Sequence, residues 1–363
     1  MPTIITNENI HDLVTEFITD RTSLPEDLQT IGDWDVSRVT DMNKLFSQCT
    51  DFNEPLNKWN VSNVENMDSM FFNCRSFNQP LNDWDVSNVK NMACMFNHCT
   101  SFSQPLHRWN VSNVSGEDQV YNNDDDDDIN PEYYYYLTGM KRMFDGCLVF
   151  NEDLSNWNVS NVKNMSYMFR TCRNFNQPLN NWNVSNVSTM YSMFSNCSRF
   201  NQPLNNWNVS NVINMTYMFN SCLEFNKPLN NWNISKVKEM YAMFGGCESF
   251  NQDLSSWDVF NVKSMYGMFY KCKKLDKNPR WIINKMTNIK RMFFETPLEN
   301  VKLERVTYNV TKANKDSKKF IDYYSEELLR RKISDKTSNS KTKKKLLTDI
   351  PDDLIEEIMS MFD

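Results

Sequence analysis

The sequence predicts an α/β repeat solenoid of about ten 25-residue coils, and three observations lead there. Tryptophan recurs at positions 34, 59, 84, 109, 157, 182, 207, 232, 257 and 281, in steps of 25 broken once by a step of 48 and ending on a step of 24. Cysteine keeps the same beat from Cys49 through Cys272. Between them runs a methionine and phenylalanine pattern of the same period, as in Met165, Met168 and Phe169. Self-similarity at a fixed short period marks coils that stack on one another, because one unit cannot bury its apolar side alone.

Within a coil, Val162, Met165, Met168, Phe169 and Cys172 fall at i, i+3, i+6, i+7 and i+10. That spacing predicts one face of a helix of about three turns. Ser160 stands where an N-cap belongs, and Ser62 with Glu65 reads as a capping box. Proline precedes leucine at Pro55, Pro80, Pro105, Pro178, Pro203 and Pro228. Because proline donates nothing to a sheet ladder, a short parallel strand is expected to start after it, at Leu179 and its equivalents. The expected coil is therefore strand, Asn/Ser turn, helix and return loop. Only 7 of the 363 residues are glycine, so turns must lean on Asn, Asp and Ser.

The side-chain columns read first as core. Helices packed about 8–10 Å apart hold neighbouring ladder cysteines beyond disulfide reach, so buried structural thiols are expected. Only Cys94 and Cys99 are close in sequence, and no second pair completes a zinc site. No metal or cofactor is expected. The asparagines at 53, 78, 151, 176, 201, 226 and 251 suggest a stacked amide row that satisfies turn backbone, with Ser103 in that column in coil four. The many Asn-x-Ser/Thr triplets, such as Asn60-Val61-Ser62, read as turn chemistry, since Met1 to Asp20 has no signal-peptide pattern.

Tyrosine departs from these columns. Tyr167, Tyr191, Tyr217, Tyr241 and Tyr266 lie between the two core methionines, at one of two adjacent positions. They are candidate partner contacts, as a half-exposed aromatic band often marks a contact surface. The other reading is that they merely flank a crowded row of helices.

Coil four is interrupted by an excess of 23 residues, at about 115–136. The insert carries Asp124 to Asp128 and then Tyr133, Tyr134, Tyr135 and Tyr136, a second set of candidate contacts. The aspartates lack the alternating ligands and turn glycine of an EF-hand loop. Residues 1–30 are expected to form a helical N-terminal cap on a solenoid spanning 31–300. Residues 301–345 form a basic tail with a helix at Phe320 to Ile333, carrying a net +8 against −15 for the remainder. Residues 346–363 suggest an amphipathic helix, and Ile350 to Leu354 is similar to the opening of an F-box.

The repeat W-[N/D]-V-S-N-V-x-x-M-x-x-M-F-x-x-C-x-x-F-N-x-P-L-x-x-W, running from about Ile31 to Phe293, resembles the BspA-like, leucine-rich-repeat-like family, a mycoplasma-type surface-protein repeat domain of unknown function. The resemblance implies a leucine-rich-repeat-like solenoid and protein–protein interaction, and it brings no catalytic residues. The Asn-, Lys- and Tyr-rich composition is compatible with a giant virus or an amoeba.

The functional expectation is a non-enzymatic repeat scaffold that binds other proteins, as a virion-associated structural or host-interaction component. Self-association is an open option for its partner. Alternatives are a cell-surface adhesin and an adaptor that recruits partners through its C-terminal helix. The three histidines, His11, His98 and His107, find no nucleophile partner, which argues against an enzyme. The net charge of −7 argues against nucleic acid. No apolar run approaches a bilayer span, so an intracellular or virion location is expected, with the cell surface as the alternative.

Overall fold

A computed structural model describes residues 3–116 and 138–306. The chain divides into two units, Met1–Glu304 and Arg305–Asp363, and of the second only Arg305 and Val306 are described. The expected tail helix at Phe320 to Ile333 and the helix at 346–363 lie outside the described residues.

The first unit is a stack of 25-residue coils, but the coils contain neither the expected helix nor the expected strand at leucine. Among the described residues the α-helix is α1 (Ile10–Asp20), and the strands are β1 (Ile282–Asn284) and β2 (Glu304–Val306). Each coil is instead a chain of linked β-turns. In the fifth coil the amides of Trp157, Val162, Met168, Arg170, Cys172 and Phe175 each donate to the carbonyl three residues back.

The alternate groups of the same stretch point along the stack. Met165, Tyr167, Phe169 and Thr171 donate to the carbonyls of Thr189, Tyr191, Met193 and Ser195 in the next coil. The carbonyls of Ser166, Met168 and Arg170 accept from Arg142, Phe144 and Gly146 in the preceding one. From Met165 to Cys172 the odd-numbered amides thus bind the next coil, and those of Met168, Arg170 and Cys172 close local turns. Such alternation lets a buried stretch pair its backbone groups without helix or sheet. Isolated parallel bridges mark the start of the ladder, running Asn164–Thr189–Asn214–Glu239–Ser264–Asn288. Pairing therefore follows the valine, not the proline–leucine step. Leu179 instead opens a turn closed by the Trp182 amide.

The helix expectation failed for an identifiable reason. Linked turns with i→i−3 bonds also bring residues three apart to one side, so steps of three cannot separate them from a helix. Some of the turns are of a type that needs a positive φ at the third residue. It occurs twice per coil, at Tyr167 (φ 61) and Thr171 (φ 63) in the fifth, and most of these sites carry side chains other than glycine. A left-handed L-residue costs roughly 1–2 kcal/mol. The six backbone bonds joining the fifth and sixth coils, at about 1 kcal/mol net apiece, help to offset it. Ser160 caps no helix; its amide binds Asn158 Oδ1, as the Ser62 amide binds Asn60 Oδ1.

The core fills the inside of the coils with aligned files. Indoles stack 6.3–6.5 Å apart, as in Trp59–Trp84 and Trp232–Trp257. Each Nε1 donates to a backbone carbonyl, that of Ile31 for Trp59 and of a leucine for the others, as Trp182 to Leu154 at 2.9 Å and Trp207 to Leu179 at 2.8 Å. Phenylalanines form two further files, with Phe169 and Phe175 4.3 Å apart within the coil and Phe169 and Phe194 5.7 Å apart between coils. The asparagine row stacks as well: Asn151 Oδ1 accepts the Asn176 amide and Asn176 Oδ1 that of Asn201.

The ten cysteines are free. Each ladder thiol from Cys74 onward donates to a phenylalanine carbonyl one coil back, as Cys172 does to Phe144 at 2.9 Å. Cysteine suits this column because it is a small apolar side chain with a weak donor. Burial pushes the Cys172, Cys222 and Cys247 thiols well above their ordinary range. Cys49, in the first coil, is only partly buried. Native iodoacetamide treatment is expected to label Cys49 first and all ten after unfolding, read by mass spectrometry. Early labelling of Cys172 would contradict the buried ladder.

At the first coil α1 lays Ile10, Val14 and Phe17 on the core, with Phe17 edge-on to Trp34 at 5.9 Å. Single 3-10 turns at Glu26–Leu28 and Ile31–Asp33 lead into the coil. In the last coil Thr296 replaces cysteine and turns its hydroxyl to the Phe293 carbonyl.

The insertion is placed by two glycines. Ser115 keeps its ladder position, accepting from Lys163, and Gly139 keeps the next, accepting from Met92. Its bounds are therefore 116–138, slightly beyond the expected 115–136. Gly116 (φ 68) and Gly139 (φ 74) lie so close that a Cβ on Gly116 would stand 2.8 Å from the Gly139 Cα. Such a pinch requires glycine, and it lets the chain leave and return without shifting the register.

Candidate interaction face

The linked turns set two adjacent residues of each coil beside one another along the flank of the stack. At this pair the five solenoid tyrosines come together in one file. Ring centroids are 5.0 Å apart for Tyr167–Tyr191, 6.0 Å for Tyr191–Tyr217, and 5.0 Å for both Tyr217–Tyr241 and Tyr241–Tyr266. Tyr167 and Tyr217 occupy the left-handed position, whereas Tyr191, Tyr241 and Tyr266 sit one residue earlier. The zigzag in sequence is thus a continuous strip in space.

The strip is not uniform. Tyr191, Tyr217, Tyr241 and Tyr266 are partly exposed, but Tyr167 is buried. As a contact residue Tyr167 is therefore corrected. Two guanidiniums lie over its ring, Arg142 at 3.9 Å and Arg170 at 4.8 Å, and a ring so buried offers no face to a partner. Tyr133, Tyr134, Tyr135 and Tyr136 lie outside the described residues.

Both arginines are held by Asp145, whose side chain is buried. Arg170 Nε and Nη2 reach its two oxygens at 2.9 Å each, and Arg142 Nη1 lies 3.1 Å away. This Arg–Asp–Arg–Tyr cluster terminates the tyrosine file beside the insertion. Sequence reading missed it. The signal lay in one column, Ser47, Phe72, Asn97, Asp145, Arg170, Ser195, Asn220, where opposite charges fall in consecutive coils.

Further toward the first coil the same flank buries Asp68. Its carboxylate accepts from Asn43 Nδ2 at 2.8 Å and Ser69 Oγ at 3.2 Å. Burial nonetheless pushes its pKa up to about 7, against the hydrogen bond of Ser69 and the charge of Lys44. Cys94, in the next coil, is pushed up to about 12 by burial and by the negative charge of Asp68. Because the folded state holds the Asp68 proton more tightly than the unfolded chain, stability is expected to fall as pH rises from about 4 to about 7 and then level off. Asp68→Asn is expected to flatten that slope and add on the order of 2 kcal/mol at pH 8, measured by urea unfolding across pH. An unchanged slope would refute the assignment.

No group of three or more metal-ligating side chains is found among the described residues. The face offers aromatic area and hydrogen-bonding rims, with the partly exposed Arg170 at one end.

Three overlapping stretches, 14–134, 127–228 and 205–306, match one family model, described as Mycoplasma protein of unknown function, DUF285. The chain belongs to this family. Together the matches span the coils and the end of α1, so membership rests on the repeat as a whole. No curated protein and no solved structure matches the chain. Within this DUF285 protein no described helix is long and apolar enough to cross a membrane.

Proposed function

We propose that this DUF285 repeat protein is a non-enzymatic scaffold that binds other proteins through the half-exposed tyrosine strip. The observation that carries the reading is the file Tyr191–Tyr217–Tyr241–Tyr266, whose rings stay partly open while the other aromatic files are buried. Tyrosine suits such a surface because it buries much area at low entropic cost and keeps a polar tip for hydrogen bonding. The strip is backed by the rigid ladder, so its geometry is fixed before a partner arrives. The proposal extends to the BspA-like, leucine-rich-repeat-like relation and to a virion-associated or host-interaction role in an intracellular or virion setting.

The test compares the intact protein with the Tyr191→Ala, Tyr217→Ala, Tyr241→Ala triple variant in affinity capture. Leu223→Ala, at an exposed side chain off the tyrosine file, is the control. Proteins captured by the parent and the control are expected to fall at least about tenfold with the triple variant, the scale set by losing aromatic hot spots. If the triple variant captures the same proteins at parental levels, the strip is not the binding face.

A further inference from the structure

The ladder bonds that follow the valine of each coil all run in one direction, while bonds flanking them, such as Ser188 to Lys163 and Glu224 to Ser198, run the other way. An amide of each coil donates to a carbonyl of the next, as Met165, Tyr167, Phe169 and Thr171 do to the sixth coil, and the pattern repeats through the last junction. There Met265, Gly267, Phe269 and Lys271 donate to Asn288, Lys290, Met292 and Phe294. That row of the stack is therefore polar. Its last coil ends in a row of amides, on Ile289, Arg291, Phe293 and Glu295, for which the described residues contain no acceptor. Its first coil begins with the carbonyls of Asp41, Asn43 and Leu45, which receive no amide among the described residues, and that of Ser47, met by the Cys49 thiol at 3.9 Å.

Side-chain charge follows the same polarity. Residues 3–60 carry eleven acidic and four basic side chains, a net of −7. Residues 271–304 carry nine basic and four acidic ones, a net of +5. Where a structure ends in unpaired amides, acidic side chains stabilise it, and where it ends in carbonyls, basic ones do. This chain has the reverse at both ends. Each end is left uncompensated by itself and is complementary to the other.

We propose that copies of this chain associate head to tail, the basic last coil of one meeting the acidic first coil of the next along their ladder flanks. The donor and acceptor rows match in register because both are the interior ladder interrupted. The core flanks are already covered, by α1 at the first coil and by Leu298, with Val301 and Leu303 packed nearby, at the last. The ladder flanks are more open. Asp41 and Gln48 are exposed and Cys49 half-buried at one end, and Lys290, Arg291, Phe294 and Glu295 are exposed at the other. Two like ends do not pair, since donors would face donors and charge would face like charge. The contact is heterologous and extends without closing. Confined to one flank, it is small beside the roughly 1,200–2,000 Å² of a stable interface, so it is weak and sensitive to salt.

Sedimentation equilibrium of the full chain tests this. The average mass is expected to rise with concentration at about 20 mM salt and to return to the monomer value near 0.5 M, where screening is short-ranged. Lys290→Glu with Arg291→Glu, and separately Asp41→Lys with Asp51→Lys, should each weaken association at least about tenfold, and an equal mixture of the two variants should regain it. Amide exchange supplies a reading that needs no variant. The Arg291 and Glu295 amides should exchange fast in dilute protein and slow as concentration rises. A chain that stays monomeric at every concentration, reversed variants that associate like the parent, a mixture that fails to recover, or amides already protected at high dilution would each overturn the proposal.

Discussion

Phe194→Ala is expected to destabilise the protein by about 4 kcal/mol, in the range for emptying a buried aromatic site. The ring is fully buried and meets four others. Phe200 lies 4.3 Å away in the same coil, Phe169 and Phe219 lie 5.7 Å away in the coils on either side, and Trp207 lies at 6.3 Å. The cavity would open into three coils at once. Their backbones are tied at fixed register by the ladder, so they cannot close over it. In a stack held by nearest-neighbour terms, a fault in the middle weakens two junctions, whereas one at the end weakens a single junction. Phe293→Ala, in the last coil, should therefore cost clearly less. Urea unfolding followed by tryptophan fluorescence would measure both. Equal losses at the two positions would mean that the coils are not coupled in this way.

Asp145→Asn should cost about 3–5 kcal/mol, although the exchange is nearly isosteric. Its carboxylate is the shared anion for Arg142 and Arg170, and the Asp145 and Arg142 side chains have little contact with water. Removing the anion leaves two guanidiniums close together beside the Tyr167 ring, with an amide unable to neutralise either. Replacing the set by apolar residues, as Asp145→Leu, Arg142→Met and Arg170→Leu, should recover most of the loss, because the cost lies in the stranded charge. Thermal and urea unfolding of the single and triple variants decide it. A triple variant no more stable than Asp145→Asn would show that the cluster supplies packing and not only charge balance.

The period, the number of coils, the residues of the core columns and the place of the insertion were legible in the sequence. Each recurs at 25-residue intervals, and recurrence survives ignorance of the local backbone. The local backbone was not legible. Val162, Met165, Met168 and Cys172 satisfy a helix and a row of linked turns equally well, because both set residues three apart on one side. What separates them is where alternate amides point, and that depends on a neighbouring coil that periodicity alone does not orient. The tyrosines illustrate the same divide. Their column could be read from the sequence, but the burial of Tyr167 could not, since it depends on Arg142 and Arg170 arriving from two different coils.

Taken alone, the amino-acid order determined that successive stretches must shelter one another's apolar sides, which follows from a unit too short to bury its own. Only the tertiary structure decided that the shelter is built from turns joined by a ladder row of one-way hydrogen bonds, that one tyrosine is enclosed while four remain partly open, and that the two ends of that row differ in kind. Those outcomes rest on contacts between coils, where a group's partner lies about one repeat away and is fixed by stacking register, not by its sequence neighbours.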